Sequence, residues 1–97
     1  MEKLIRDKLN KVIPPNELRI CENKEYNNLL LAKLDEELEE LSSSDYADVA
    51  EYADVIEVLF AIAKYHNINK ADIMSKRIEK LYERGGFDMG LILTRDE

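Results

Sequence analysis

The sequence predicts an all-α fold, an antiparallel helical bundle that assembles into oligomers. Apolar residues recur at three- and four-residue intervals along three long segments, which is the period of an amphipathic helix. No cluster of β-branched residues with alternating polarity forms a strand pattern. The 97 residues contain only three glycines and two prolines, so few positions interrupt a helix. A chain of this length predicts a single domain, residues 1–97, with a modest core.

The first half of the chain predicts two helices separated by an irregular connection. Residues 4–13 have apolar side chains at helical spacing, and Pro14 and Pro15 must end that short helix. The polar connection that follows predicts one extended turn at residues 18–20. The second helix starts at Tyr26 and places one apolar face along its length, formed by Leu29, Leu30, Leu34, Leu38 and Leu41.

The second half predicts two more helices. Ser44 or Asp45 is the candidate cap for a helix over residues 47–63, which is apolar almost all round. A helix without a wide polar face is buried on more than one side, so we expect a partner subunit, in a dimer or a tetramer. Asn69 and Asp72 predict the start of the last helix, which Gly85 and Gly86 end.

Composition excludes several classes of function. A formal net charge of -7 makes nucleic-acid binding unfavourable, since phosphates require a basic surface. The longest apolar run is far shorter than the roughly 20 residues of a membrane span, and the charged N-terminus lacks the apolar stretch of a secretory signal. We therefore expect a cytoplasmic protein without membrane contact. Cys21 and His66 each occur alone, which leaves carboxylates as the metal ligands.

Acidic residues occur at helical spacing in both central helices. Glu37 and Glu40 lie one turn apart, a pattern that a solvated helix face also produces. Glu51, Asp54 and Glu57 follow at intervals of three inside the most apolar helix, where an isolated carboxylate is costly to bury. Ion pairing with Lys or Arg of the first or last helix, a subunit boundary that leaves the stripe in water, or a divalent cation would each remove that cost.

The short connection between the two central helices makes a shared acidic site plausible on geometric grounds. A short connection places neighbouring helices antiparallel. Glu37 and Glu40 lie near the end of one helix, and Glu51 and Asp54 lie near the start of the next. The two pairs therefore fall at similar heights and can face each other. Converging carboxylates suit Mg²⁺, with Mn²⁺ as an alternative, and a bound cation would let an acidic protein accept a polyphosphate.

Several sequence blocks resemble the all-α nucleoside triphosphate pyrophosphohydrolase superfamily, which includes MazG and phosphoribosyl-ATP pyrophosphohydrolase. The blocks Lys33-x-x-Glu36-Glu37-x-x-Glu40 and Glu51-x-Ala53-Asp54 are similar to its paired E-x-x-E and E-x-x-D motif. The opening Lys3-Leu4-Ile5-Arg6-Asp7-Lys8 and the closing Glu83-Arg84-Gly85-Gly86-Phe87 look like a small single-domain MazG-like subgroup. The resemblance implies an oligomeric helical enzyme that cleaves the α–β phosphate bond, giving a nucleoside monophosphate and pyrophosphate. It also implies Mg²⁺ binding at Glu37, Glu40, Glu51 and Asp54.

The remaining candidate residues have roles that follow from their charge. Glu36 and Glu37 are the candidate catalytic residues, and Glu36 would orient the attacking water. Candidate phosphate-binding cations are Lys33, Arg6, Lys8, Lys80 and Arg84, although surface solubility explains such charges equally well. Two rival functions stay open: phosphoribosyl-ATP pyrophosphohydrolase activity, and a non-catalytic helical module that binds a nucleotide or serves as an oligomeric scaffold.

Overall fold

Three α-helices follow an irregular N-terminal segment in the computed structural model, which describes residues 2–95. Helix α1 spans Asn23–Ser43, α2 spans Val49–Tyr65 and α3 spans Lys70–Arg84. Two short 3₁₀ helices precede them, at Asp7–Lys11 and Pro15–Glu17. No strand occurs between residues 2 and 95, so the all-α prediction is confirmed.

The predicted first helix is wrong in length and type. Only Asp7–Lys11 is helical, and it is a 3₁₀ helix whose preceding residue, Arg6, makes no side-chain cap. A ten-residue segment that ends at two prolines is too short to be stable as a helix by itself. Residues 2–6 instead lie without regular secondary structure along the helices, and Leu4 and Ile5 are half-buried there. Leu18 has an extended backbone, but residues 18–20 do not form the predicted turn.

Helix α1 begins at a cap that also fixes the N-terminal segment. The Glu22 backbone N–H donates to the Glu25 carboxylate at 2.8 Å, which is half of a capping box. The Arg19 guanidinium donates to both carboxylate oxygens of Glu25, at 2.8 and 2.9 Å, and forms a second forked pair with Glu2. Arg19 therefore joins the start of the chain to the start of α1.

We expect this cap to make stability depend on pH in the acid range. The Arg19 hydrogen bonds, with the Glu22 backbone N–H, lower the pKa of Glu25 from 4.5 to about 2. Because the folded state binds fewer protons than the unfolded state, this contribution is complete above pH 4.5 and is lost as the pH falls towards 2. Glu25→Gln preserves the side-chain shape but removes the titration. Urea denaturation at pH 6 and pH 3 should show a smaller acid-induced loss for the variant, and equal losses would contradict the prediction.

The connection between α1 and α2 is a left-handed turn. Asp45 and Tyr46 have φ angles of 56° and 60°, which end α1 and delay the start of α2. Asp48 is the N-cap, since its carboxylate accepts the Ala50 N–H at 2.9 Å. The prediction of Ser44 or Asp45 as the cap is therefore wrong. The Ser44 hydroxyl donates instead to the Leu41 carbonyl, at 2.7 Å.

Helices α1 and α2 pack as an antiparallel hairpin. The rings of Tyr26 at the start of α1 and Tyr65 at the end of α2 meet edge to face, with centroids 5.6 Å apart. His66 and Asn27 form a hydrogen bond of 3.2 Å at the same end. The core lies between the two helices, where the buried apolar residues are Leu30, Leu41, Val58 and Ala63. This small core fixes the relative height of the two helices.

Helix α3 packs only lightly on α2. It begins as predicted at Asn69, whose side chain accepts the Ala71 N–H at 2.8 Å, and it ends at Gly85, where φ is 79°. That φ angle favours glycine, which explains the stop. None of the fifteen residues of α3 is buried. Its apolar residues are exposed or half-buried, and so are those of the tail that follows.

The chain exposes far more surface than a monomer of its mass normally does. Its accessible area is 8833 Å², whereas about 5,700 Å² is typical for 11.3 kDa. The radius of gyration is 17.4 Å, against about 13 Å for a compact domain of this length. Among residues 2–95, no helix is both long enough and apolar enough to cross a membrane.

Candidate metal centre

Five carboxylates from α1 and α2 converge where the helices face each other. One carboxylate oxygen from each of Glu37, Glu51 and Asp54 lies within 4.8 Å of the others. Glu36, Glu37 and Glu40 form a second such group, which shares Glu37 with the first. The four sequence-predicted metal ligands therefore fall into two groups that share Glu37: one contains Glu51 and Asp54, and the other contains Glu36 and the exposed Glu40. We refer to these five residues as the acidic cluster.

The helical repeat and the hairpin explain this convergence. Glu37 and Glu40 are three residues apart near the end of α1, and Glu51 and Asp54 are three residues apart near the start of α2, so each pair shares a helix face. The antiparallel arrangement brings these faces to the same height. Glu57, the third member of the acidic stripe on α2, lies outside both groups and is exposed.

Glu37 is the most deeply buried member of the acidic cluster. The residue is only 5% exposed. Its Oε2 atom, like Oε2 of Glu51, is buried and has no hydrogen-bond partner among the described residues. Burial raises the pKa of both carboxyls, and nearby Glu40 and Asp54 raise it further. A buried acceptor without a donor is costly, so these two oxygens fit the ligand set of a hard cation.

Lys33 lies on the same side of α1, one turn before the acidic cluster. Its ammonium nitrogen is 3.3 Å from a Glu37 oxygen and 3.4 Å from a Glu36 oxygen. The side chain is 16% exposed, so its charge is held close to the cluster. Lys33 partly neutralises Glu37, although it leaves the second Glu37 oxygen unpartnered.

Two cations of the N-terminal segment lie directly on the acidic cluster. Arg6 Nη2 donates to Asp54 Oδ1 at 2.7 Å, across 48 residues of sequence. Lys3 Nζ donates to Glu36 Oε1 at 2.8 Å, and this bond lowers the pKa of Glu36 and raises that of Lys3. Arg6, which lies outside α2, therefore compensates the negative charge of Asp54. This is one of the alternatives left open by the sequence. It does not account for the unpartnered oxygens of Glu37 and Glu51.

Three of the predicted phosphate-binding cations are not brought to the acidic cluster. Lys8 is exposed in the 3₁₀ helix Asp7–Lys11, and Lys80 and Arg84 are exposed on α3. Within residues 2–95, no ion pair joins any of the three to a carboxylate of the cluster. Lys3, in contrast, was not among the predicted cations. Its presence in the opening block Lys3-Leu4-Ile5-Arg6 was the one signal that pointed to it.

An open cleft lies against the N-terminal segment, next to the two cations that contact the acidic cluster. Its volume is about 890 Å³, within the range of small-molecule sites. Lys3 and Arg6 line the cleft and also contact the cluster, so they stand between the two. Its apolar walls include Leu18, Tyr26 and Leu29. A ligand that carries an anionic group and a flat apolar group would match this lining, with the anionic group at Lys3 and Arg6 and the apolar group against the apolar walls.

Comparison with family models, curated proteins and solved structures gives no significant match for the chain. Function therefore has to be inferred from the acidic cluster, the three cations that contact it and the adjoining cleft. Of these features, the two buried oxygens say most about chemistry, because no described side chain or backbone group donates a hydrogen bond to them.

Proposed function

We propose that the protein is a Mg²⁺-dependent nucleoside triphosphate pyrophosphohydrolase that cleaves the α–β phosphate bond, giving a nucleoside monophosphate and pyrophosphate. One observation carries the proposal. Glu37 is buried with an unpartnered oxygen, and carboxylate oxygens of Glu51 and Asp54 lie within 4.8 Å. An arrangement that costs folding energy without a ligand is expected where a ligand binds. The resemblance of the two acidic blocks to MazG-like enzymes supports the same reading.

The residues of the acidic cluster fit the requirements of the cation. Glu37, Glu40, Glu51 and Asp54 would hold Mg²⁺, with Mn²⁺ as a substitute that accepts the same hard oxygen ligands. Bound there, the cation would neutralise charge on the phosphates in the transition state and lower the pKa of a coordinated water. The five carboxylates of the cluster outnumber the three cations that contact them, and the remaining negative charge favours a divalent cation over a monovalent one.

Glu36 would orient the attacking water. The Lys3 hydrogen bond lowers the pKa of Glu36, so the group is ionised at neutral pH and can accept a hydrogen bond from that water. Lys33 contacts Glu36 and Glu37, which restricts both side chains. A water held between Glu36 and the substrate would add across the α–β anhydride bond, and the pyrophosphate would leave as the second product.

The three cations that contact the acidic cluster would bind the phosphate groups of the substrate. Arg6 can form forked hydrogen bonds with phosphate oxygens, and Lys3 and Lys33 offer compact charges. The base and sugar would then lie in the adjoining cleft, with the phosphates towards the cluster. Within residues 2–95, Lys80 and Arg84 form no ion pair with the cluster, so a phosphate-binding role for them would involve the cluster of another subunit.

A nucleotide panel tests this proposal. Canonical, deoxy and modified triphosphates, together with phosphoribosyl-ATP, would be incubated with the protein in Mg²⁺ or in EDTA, and monophosphate and pyrophosphate would be quantified. We expect equal amounts of the two products from at least one triphosphate, in Mg²⁺ only. Turnover of phosphoribosyl-ATP alone would favour the second enzyme, and nucleotide binding without turnover would favour the non-catalytic module.

We also propose that the chain functions as a homo-oligomer. Val49, Tyr52, Ile56 and Leu59 form one exposed stripe along α2 at helical spacing. The excess accessible area, about 3,000 Å², exceeds the roughly 800 Å² per partner of a standard interface. A dimer or a tetramer would bury this surface.

Sedimentation equilibrium tests the oligomer. Ile56→Lys, near the middle of the stripe, should shift the mass towards one chain, because a buried unpaired ammonium is costly. Asn28→Lys adds the same charge at an exposed polar position of α1 and should keep the wild-type mass. Identical masses for the two variants, or a wild-type protein that is already a monomer at micromolar concentration, would contradict the prediction.

A further inference from the structure

Residues 2–6 lie across the acidic cluster and form hydrogen bonds with two of its carboxylates, the proposed metal ligand Asp54 and its neighbour Glu36. Arg6 holds Asp54 Oδ1 at 2.7 Å, and Lys3 holds Glu36 Oε1 at 2.8 Å. We propose that residues 2–6 form an autoinhibitory strap that competes with the divalent cation for these carboxylates and is displaced when the cation binds. The inference rests on the metal site proposed above and concerns its regulation.

Competition follows from the atoms involved. A carboxylate oxygen that accepts a short hydrogen bond from a guanidinium presents its lone pairs to that donor, so Mg²⁺ or Mn²⁺ must displace the donor to coordinate the same atom in full. The positive charge of Arg6 also repels a cation at that distance. Asp54 is therefore the ligand at which the strap and the metal exclude each other.

The two ion pairs that hold the strap are weak enough for a bound cation to displace them. The side chains of Arg6 and Asp54 are 56% and 38% exposed, and those of Lys3 and Glu36 are 49% and 26% exposed. Ion pairs so close to solvent are weak, and exchanging them for a metal–carboxylate bond needs little energy. The deepest ligand, Glu37, has no contact with the strap among the described hydrogen bonds and ion pairs. It can begin to bind a cation before the strap leaves.

Arg19 makes the strap a tethered segment. Its forked pairs with Glu2 and Glu25 hold residue 2 against the start of α1. Release of Lys3 and Arg6 from the cluster would therefore leave the strap attached at Arg19. The freed guanidinium and ammonium would remain beside the cleft, where they can meet phosphate oxygens. Cation loading would in this way prepare the site for a triphosphate.

Binding of Mn²⁺ alone, measured by isothermal titration calorimetry, is the first test. We expect Arg6→Gln to bind Mn²⁺ up to about fivefold more tightly than wild type, the most that a surface ion pair contributes. Arg6→Lys keeps a competing charge and should stay close to wild type. Arg77→Gln removes the same charge from an exposed position on α3 and serves as the matched control.

The Arg6 guanidinium resonance in NMR is the second test, since it separates displacement from a general charge effect. Asp54→Ala, which has no side-chain acceptor, supplies without metal the position of the released Arg6 side chain. On addition of Mg²⁺ to wild type, the Arg6 signal should move to that position. A signal that stays paired in the loaded protein, or equal Mn²⁺ affinities for wild type and Arg6→Gln, would overturn the strap. Absence of binding in every variant would overturn the proposed metal site as well.

Discussion

Glu37→Gln is expected to lower Mg²⁺-dependent pyrophosphate release by at least about 100-fold, the upper end of the loss seen when a ligand's supporting contact is removed. Glutamine keeps the shape of the side chain but cannot supply an anionic ligand to the cation. Urea denaturation in EDTA at pH 7 should show a free energy of unfolding equal to or above that of wild type, because the charge that burial penalises is removed.

The effect of Glu37→Gln on the free energy of unfolding should depend on pH. Burial raises the pKa of Glu37 in the folded protein, so the folded state retains a proton that the unfolded state has lost. The wild-type carboxyl therefore destabilises the metal-free protein progressively as the pH rises from 4.5 through that folded pKa. Any gain in stability for Glu37→Gln should be present at pH 7 and should shrink as the pH falls towards 4.5.

Glu39→Gln is the matched control for this experiment. It makes the same change of charge two residues away, at an exposed position of α1. Activity and stability should both stay near the wild-type values, since exposed charges contribute little. If Glu39→Gln reduced turnover as strongly as Glu37→Gln, overall negative charge would be the relevant property, and the assignment of Glu37 as a ligand would be wrong.

Leu30→Ala is expected to lower the free energy of unfolding by about 2–5 kcal/mol, the usual cost of cutting a buried leucine to alanine. Leu30 is 4% exposed and is one of four buried apolar residues. A small domain has only about 5–15 kcal/mol of stability in total. The variant should therefore unfold at much lower urea concentration, and circular dichroism at 222 nm would follow the transition.

Leu31→Ala is the corresponding control, because this neighbouring leucine is 45% exposed. Its truncation should cost less than about 1 kcal/mol, since little apolar area is removed from a site that water already reaches. Equal losses in the two variants would mean that Leu31 is covered too, most simply by another subunit. That outcome would also be visible as a dependence of the Leu31→Ala effect on protein concentration.

Helices could be predicted from the sequence where their positions are determined by residues close to one another along the chain. The apolar spacing of residues 29–41 and the Asn69 cap depend only on near neighbours, and both predictions agree with the structure. The cap of α2 was predicted wrongly because Ser44, Asp45 and Asp48 all have capping side chains. The left-handed φ angles of Asp45 and Tyr46, which decide among them, are not visible in the residue types.

Parts of the acidic cluster could be predicted for a similar reason. The pairs Glu37 with Glu40 and Glu51 with Asp54 follow from the helical period and one short connection, and the structure brings them together. The contacts of Lys3 and Arg6 could not be predicted in this way. They join positions 33 and 48 residues apart through a segment without regular secondary structure, and no periodic pattern encodes such a contact.

The uneven packing of the three helices has a consequence for the order of folding. All four buried apolar residues lie in the α1–α2 hairpin, whose two halves are close in sequence, so this unit can form quickly from local contacts. Helix α3 adds no buried residue, and a fifteen-residue helix is only marginally stable alone in water. In the homo-oligomer proposed above, its permanent structure would be acquired late, when the chains associate, and the last step of folding would be second order in protein concentration.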